Sequence, residues 1–338
     1  MVPESYAVRY SLRLNPSERW EVTTQQVIEA ADVRKNYRGG TEGAGLNGFD
    51  LTVTAGTVTG LLGPNGAGKT TAVRILSTLL EMDSGQASVA GYDVRRQGAE
   101  VRRRIGLVGQ YAAIDEVLTG RQNLTMFGRL NHLAHAKAAK RADELLEQFD
   151  LVAAAGQAVG KYSGGMRRRL DLAASLIVAP DVLFVDEPTT GLDPAARLEV
   201  WAAVRQLVSN GTTVLLTTQY LEEADQLADR ISMLKDGKVV AEGTPDQLKT
   251  QLGSDWLDLV LTDPAELEVV RRLAEPLADG ELKIEGQRLS VPVKDRTRAL
   301  VVMANSLHEA NIEPEDITLR RPTLDEVFLH LTGSKVAV

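Results

Sequence analysis

Gly63-Pro64-Asn65-Gly66-Ala67-Gly68-Lys69-Thr70 follows the apolar run Thr57–Leu62 and opens a helical stretch, Thr70–Leu80. It fits G-x-x-x-x-G-K-[ST] in the strand–loop–helix context that the pattern requires. Glycines let the backbone turn tightly, so its N–H groups converge on phosphate oxygens. The helix N-terminus adds positive dipole character at the same spot. Lys69 is expected to reach the β- and γ-phosphates and the Thr70 hydroxyl to ligate magnesium. Gly63, Pro64, Asn65, Gly66, Ala67, Gly68 and Thr71 complete the expected phosphate-binding set.

Downstream, Val182-Leu183-Phe184-Val185-Asp186-Glu187-Pro188 is an apolar strand ending in two carboxylates. Such a pair can simply end a strand. With a phosphate cradle upstream, Asp186 is expected to hold magnesium. Glu187, one residue beyond, is expected to polarise a water for attack on the γ-phosphate.

Short apolar runs continue the pattern on both sides. Strands are expected at Val27–Val33, Thr57–Leu62, Ala87–Val89, Ile105–Val108, Val182–Val185, Val214–Thr217, Ile231–Leu234 and Val239–Glu242. Helices are expected at Thr70–Leu80, Arg141–Phe149, Ala195–Ser209 and Leu221–Ala228. Strands buried on both faces and alternating with helices predict an α/β fold with parallel crossovers. Residues 111–165 read as an inserted helical subdomain within a domain spanning 26–248. Past a boundary near residue 250, the order strand, helix, hairpin, helix, strand predicts a small α+β domain of the ferredoxin-like kind over 250–338, with Pro322 opening a last helix. Residues 1–25 form an extension in which Tyr6, Val8, Tyr10, Leu12 and Leu14 alternate like a strand.

The composition narrows the function classes. At 338 residues, 43% hydrophobic and 25% charged, the chain suits about two globular domains rather than a disordered one. A formal net charge of -8 argues against a protein that coats nucleic acid, and no nucleic-acid partner is expected. No run approaches the ~18 apolar residues that span a bilayer. Without cysteine, disulfides and thiolate metal sites are impossible. His132, His135, His308 and His330 show no metal spacing beyond a lone His-x-x-His at 132 and 135, and the runs Arg102–Arg104 and Arg167–Arg169 read as solvated faces or intersubunit ion pairs.

Tyr162-Ser163-Gly164-Gly165-Met166-Arg167 lies just before the carboxylate strand. Ser163 reads as an N-cap, and the glycines after it leave N–H groups exposed at a helix start, a second anion site. A second such site in one chain makes sense if it serves the nucleotide bound to another copy. In that position Ser163-Gly164-Gly165 resembles the signature of the ATP-binding cassette (ABC) ATPases. Gln110 matches the family's Q-loop and Gly191-Leu192-Asp193-Pro194 its D-loop. Tyr37 matches the aromatic that stacks on adenine, although an aromatic near a strand end can also be packing. The runs Tyr162–Leu170, Leu215–Ile231 and Thr323–Gly333 are similar to ATP-binding subunits of daunorubicin/doxorubicin-resistance-type exporters.

The resemblance implies a P-loop NTPase fold of ABC type that binds ATP and Mg2+, with Gln110 beside the metal. It also implies a homodimer in which each ATP lies between the P-loop of one copy and Ser163-Gly164-Gly165 of the other, with Asp193 at that junction. A separate membrane-spanning permease would be the partner, met through residues near Gln110–Asn123, and the chain would sit peripherally on the cytoplasmic face of the membrane. The activity expected is ATP hydrolysis driving efflux of a hydrophobic or amphipathic, drug-like compound. A non-transport ABC ATPase acting on ribosomes or nucleic acid is the alternative. At the switch position the family usually carries histidine, and this chain has Gln219, which can hydrogen-bond the γ-phosphate but cannot titrate.

Overall fold

The computed structural model describes residues 25–37, 45–110, 113–250 and 255–332, and the strand expected around residues 6–14 lies outside them. The chain enters through an antiparallel pair, β1 (Gln26–Asn36) and β2 (Gly45–Thr54). The sequence reading contains no strand at β2. Gly45, Asn47 and Gly48 interrupt its alternation, and only Phe49, Leu51 and Val53 keep an inward beat. Their pairing is irregular as well: the register shifts between Ala30 and Val33, where Asp32 takes a φ of 46° and its N–H donates to Asp50 Oδ1 at 2.9 Å.

Next come β3 (Val58–Leu62), α1 (Lys69–Leu76), β4 (Ser84–Val89), β5 (Tyr92–Asp93), α2 (Gly98–Arg102) and β6 (Ile105–Val108). Helix α1 stops four residues before the expected Leu80. Thr78 turns left-handed at φ 64°, and the Leu79 and Leu80 N–H groups both return to Arg74 O, at 2.7 and 3.0 Å. The stretch read as a helical insertion holds α3 (Gly120–Leu130), started by a Thr119–Gln122 capping box, and α4 (His135–Gln148). Helix α5 (Gly164–Ser175) follows. The alternation then resumes with β7 (Val182–Asp186), α6 (Pro194–Ser209), β8 (Thr213–Thr218), α7 (Leu221–Leu227), β9 (Arg230–Lys235), β10 (Lys238–Gly243) and α8 (Pro245–Thr250).

Two sheets enclose α1. One is antiparallel, in the order β2-β1-β4-β5; the other runs β10-β9-β3-β8-β7-β6, parallel except for the β9–β10 hairpin. Central strands of the second sheet are apolar on both faces. In β7, Val182 and Phe184 pack toward α1 and the antiparallel sheet, whereas Leu183 and Val185 face the cluster built with α4, α5 and α6. That two-sided burial is why these strands read as unbroken apolar runs. It also brings the C-terminal ends of β3, β7 and β8 side by side.

The remaining elements are β11 (Asp255–Leu261), α9 (Leu267–Ala274), β12 (Lys283–Glu285), β13 (Arg288–Val293), α10 (Arg296–Glu309), β14 (Pro314–Arg320) and α11 (Leu324–Thr332). Their strands form an antiparallel sheet ordered β12-β13-β11-β14, which makes a split βαββαβ unit around Leu257, Leu259, Val291 and Met303. Pro322 precedes the last helix rather than opening it: Thr323 caps it, accepting from the Glu326 N–H at 3.3 Å while its own N–H donates to Glu326 Oε2 at 2.9 Å. Helix α11 then leaves this sheet. Leu324 and Val327 enter the cluster containing Ala224, Leu227 and Leu248 of α7 and α8. Glu326 faces back, taking both Arg320 Nη groups at 2.9 and 3.0 Å, while Arg320 Nε donates to Asp258 Oδ2 at 2.8 Å.

Candidate functional site

Strand β3 delivers the chain to Gly63, whose N–H donates to Thr218 O at the end of β8, at 3.2 Å. A Cβ at Gly63 would come 2.4 Å from Leu234 O, so only glycine lets the loop lie this close to β9. The loop closes through Ala67 N–H to Pro64 O at 3.2 Å and reaches Gly68, which caps α1 at φ 110°. That conformation, with Gly45 O 2.6 Å from where a Cβ would stand, excludes other residues. Lys69 is only 4% exposed and reaches back over the loop, donating to Gly63 O at 2.8 Å and Pro64 O at 3.1 Å.

The carboxylates arrive from β7. Asp186 accepts from Thr70 Oγ1 at 3.2 Å on one oxygen and from the Thr217 hydroxyl on the other. Glu187 has a φ of 48°, a left-handed backbone that costs a non-glycine residue about 1–2 kcal/mol. The strand next door holds it there: the Glu187 N–H lies 3.1 Å from Thr217 O and 3.2 Å from Thr217 Oγ1. Its Oε1 sits 3.2 Å from Lys69 Nζ, and its Oε2 accepts from Thr190 Oγ1 at 3.4 Å. Lys69, Thr70, Asp186 and Glu187 therefore converge at the ends of three strands. The cluster sets a cation and paired oxygen donors at the mouth of a glycine loop, a layout suited to phosphate and a hard divalent ion.

Tyr37 stands 42% exposed, with its hydroxyl 3.2 Å from Thr71 Oγ1. Gln219 is half-buried immediately after β8, next to the Thr218 that anchors Gly63. The other expected residues belong to different elements. Ser163 caps α5, accepting from the Met166 N–H at 3.2 Å. Gly164 and Gly165 pack against the turn into α6, where a Cβ on either would meet Leu192 or Ala196 at 3.0 Å. Asp193 is exposed and caps α6 through the Ala196 N–H at 2.9 Å. Gln110 is exposed on the loop after β6.

The middle residue of the arginine run corrects the sequence reading. Arg168 is 6% exposed rather than solvated, and its guanidinium is held by Gly109, Asp171, Asp186 and Pro188. Neighbouring Arg167 and Arg169 pair with Glu116 at 3.0 Å and Glu199 at 3.3 Å. Burial lowers the Arg168 pKa and raises that of its partner Asp171, with the mutual attraction of the pair opposing both shifts.

Two further groups escape sequence reading. Thr217 looks like one more residue of an apolar strand. Glu223 looks like half of an exposed acidic pair, yet it is fully buried and accepts from Thr189 Oγ1 at 2.8 Å and Trp201 Nε1 at 3.0 Å. Burial raises its pKa, with hydrogen bonds pulling the other way. A Thr-Thr ending to the strand that faces the carboxylates is the one signal that points to Thr217.

Fold and site together define a P-loop nucleotide triphosphatase of the ATP-binding-cassette class. The ABC transporter family matches residues 46–190. The structure of cbiO1 from Clostridium perfringens, part of the ABC transporter complex cbiONQ, superposes with a TM-score of 0.61 at 26% identity, covering 75% of this chain and 96% of that one. Sequence relatives carry the match through the C-terminal region. The daunorubicin resistance ATP-binding protein DrrA2 of Streptomyces coeruleorubidus is 59% identical over 310 residues, 91% of this chain and 95% of the relative. The daunorubicin/doxorubicin resistance ATP-binding protein DrrA of Streptomyces peucetius is 49% identical over 314 residues, 91% and 93% of the two chains. The chain belongs to this daunorubicin/doxorubicin-resistance family of ABC ATP-binding proteins.

Proposed function

We propose that this ABC ATPase powers export of an amphipathic, anthracycline-like compound through a separate membrane-spanning permease. Among the described residues no helix is long and apolar enough to cross a membrane, which is consistent with a subunit docked peripherally on the cytoplasmic face. The convergence of Lys69, Thr70, Asp186 and Glu187 carries the reading of the chemistry.

In this reading Gly63–Thr71 cradle the phosphates of ATP, Lys69 neutralises the β/γ oxygens, and Tyr37 stacks on adenine. Thr70 and Asp186 would hold magnesium, with Gln110 as a further oxygen donor; the ion supplies charge neutralisation at the phosphates. Glu187 takes the proton of the attacking water. Gln219 hydrogen-bonds the γ-phosphate. Ser163, Gly164 and Gly165, held apart from the P-loop on α5, complete the site of a second copy, with Asp193 at the junction. Residues 26–248 act as the cassette, whose helical subdomain (111–165) meets the permease near Gln110–Asn123, and 250–338 as a ferredoxin-like accessory domain.

Trans-complementation tests the shared site. Lys69→Ala and Ser163→Arg chains should each be inactive alone. Mixed, they should regain about a quarter of wild-type ATPase sites, since half the dimers are mixed and half their sites intact. No recovery, or activity in either variant alone, counts against the arrangement. For export, cells carrying the chain with its permease should exclude daunorubicin, and Lys69→Ala at equal expression should not.

A further inference from the structure

We propose that Arg168 and Asp171 are positioning residues that lock the Gln110 loop and the Asp186–Glu187 turn to the signature helix α5, so that the half-site offered to a second copy and the chain's own catalytic carboxylates move as one unit. The proposal deepens the shared-site reading above and rests on it.

The two residues stand one helical turn apart on α5, 3.3 Å from each other, with Asp171 only 5% exposed. The guanidinium reaches three backbone carbonyls on two other segments. Nη1 donates to Gly109 O at 2.6 Å, Nη2 to Asp186 O at 3.2 Å, and Nε to Pro188 O at 2.9 Å. Asp171 Oδ1 accepts from the Ala113 N–H at 3.1 Å. The loop bearing Gln110 is thus gripped on both flanks, at Gly109 by the arginine and at Ala113 by the aspartate. The turn bearing Glu187 is gripped on both sides as well, at Asp186 and Pro188.

Stability alone is a poor reason for this pair. Two buried charges bring a desolvation cost that a well-packed apolar pair avoids. What the charged pair adds is direction. A planar fork fixes three acceptors at once, which a lysine ammonium does not reproduce. Arg168, which holds Asp186 and Pro188, and Asp171, which holds Ala113, are on the helix that Ser163-Gly164-Gly165 begins, so any tilt of α5 against a second copy pulls on both loops. Neither residue touches a reacting atom, and their effect runs through Gln110, Asp186 and Glu187.

The test compares Asp171→Asn, Arg168→Lys and the double variant Arg168→Met/Asp171→Leu with wild type. Readouts are Tm, fluorescent-ATP affinity, and kcat and KM for ATP across chain concentration. The apolar pair should keep Tm near wild type and bind ATP within about twofold, because the P-loop is untouched, yet lose about tenfold or more in kcat. Arg168→Lys should fail to rescue kcat. A double variant that folds and keeps kcat within about twofold of wild type overturns the proposal, as does a parallel loss of ATP affinity and kcat. Should the double variant not fold, Arg168→Lys decides: it keeps the charge and loses the fork that holds Gly109, Asp186 and Pro188, and wild-type kcat there overturns the lock. Asp171→Asn, which keeps an oxygen for the Ala113 N–H, should stay within about twofold of wild type. Failure of the shared-site reading would show separately, as no recovery of activity when Lys69→Ala and Ser163→Arg chains are mixed.

Discussion

Lys69 Nζ and Glu187 Oε1 lie 3.2 Å apart, so the cation that a β/γ-phosphate requires is the one that the candidate base holds. Both groups are nearly buried, at 4% and 9% exposure, and neither has bulk water to turn to. Binding of a triphosphate therefore has to draw the ammonium away and free the carboxylate in the same event.

Glu187→Gln should loosen that pair and lose the base together. Nucleotide affinity is expected to hold or rise, because Lys69 no longer has a competing anion. Hydrolysis should fall by roughly 10²–10⁴-fold, and the variant should collect as an ATP-bound dimer on size exclusion. A monomer with normal turnover would remove Glu187 from the catalytic role.

Gln219 should sense the γ-phosphate through a neutral hydrogen bond. Gln219→Ala is expected to lower turnover while ATP binding survives on the P-loop. Gln219→His should stay active and acquire a pH dependence between about 6 and 7.5, where imidazole changes charge. Turnover against pH at saturating magnesium and ATP distinguishes the three proteins, and an Ala variant that matches wild type throughout makes Gln219 a bystander.

Glu223 joins Thr189, two residues past Glu187, to Trp201 of α6. Glu223→Leu orphans both buried donors, each at a cost of about 1–3 kcal/mol. Urea denaturation should register the loss as a lower midpoint at unchanged slope. An unchanged midpoint would mean that Thr189 and Trp201 find other acceptors.

The Glu326 contact should weaken in acid. Burial alone pushes this carboxyl up, but the Arg320 hydrogen bonds, the Thr323 N–H and nearby cations outweigh it and hold the group below the ordinary glutamate value. The folded protein thus binds this proton less readily than the unfolded chain does. Its contribution to stability is complete above the unfolded value of about 4.3 and is lost as pH falls through the folded one. Glu326→Gln should therefore reduce Tm at pH 7 and narrow the gap to wild type below pH ~4. A gap that is constant with pH would show that the charge of Glu326 contributes nothing.

Features written in adjacent residues were legible in the sequence. The glycine loop, the carboxylate-ended strand and the Ser163 cap each depend on local spacing and came through, as did the strand–helix alternation. Those that depend on distant partners did not. Arg168 sits in a run of three arginines, and nothing nearby says that the middle one meets Gly109, Asp186 and Pro188 across the fold. Glu223 shares its helix face with Ala224 and Leu227 but resembles the exposed Glu222 in sequence. Strand β2 is hidden because a bulge and two glycines spoil its alternation. The last helix was visible as a helix, but not its seat on α7 and α8.

That seat limits where the chain can be divided. Leu324 and Val327 cover Ala224, Leu227 and Leu248, so cutting the protein after Thr250 would not free a self-sufficient ATPase. It would leave an apolar scar across α7 and α8. A shortened cassette would then tend to clump through that scar, and its low activity would be mistaken for a defect in catalysis.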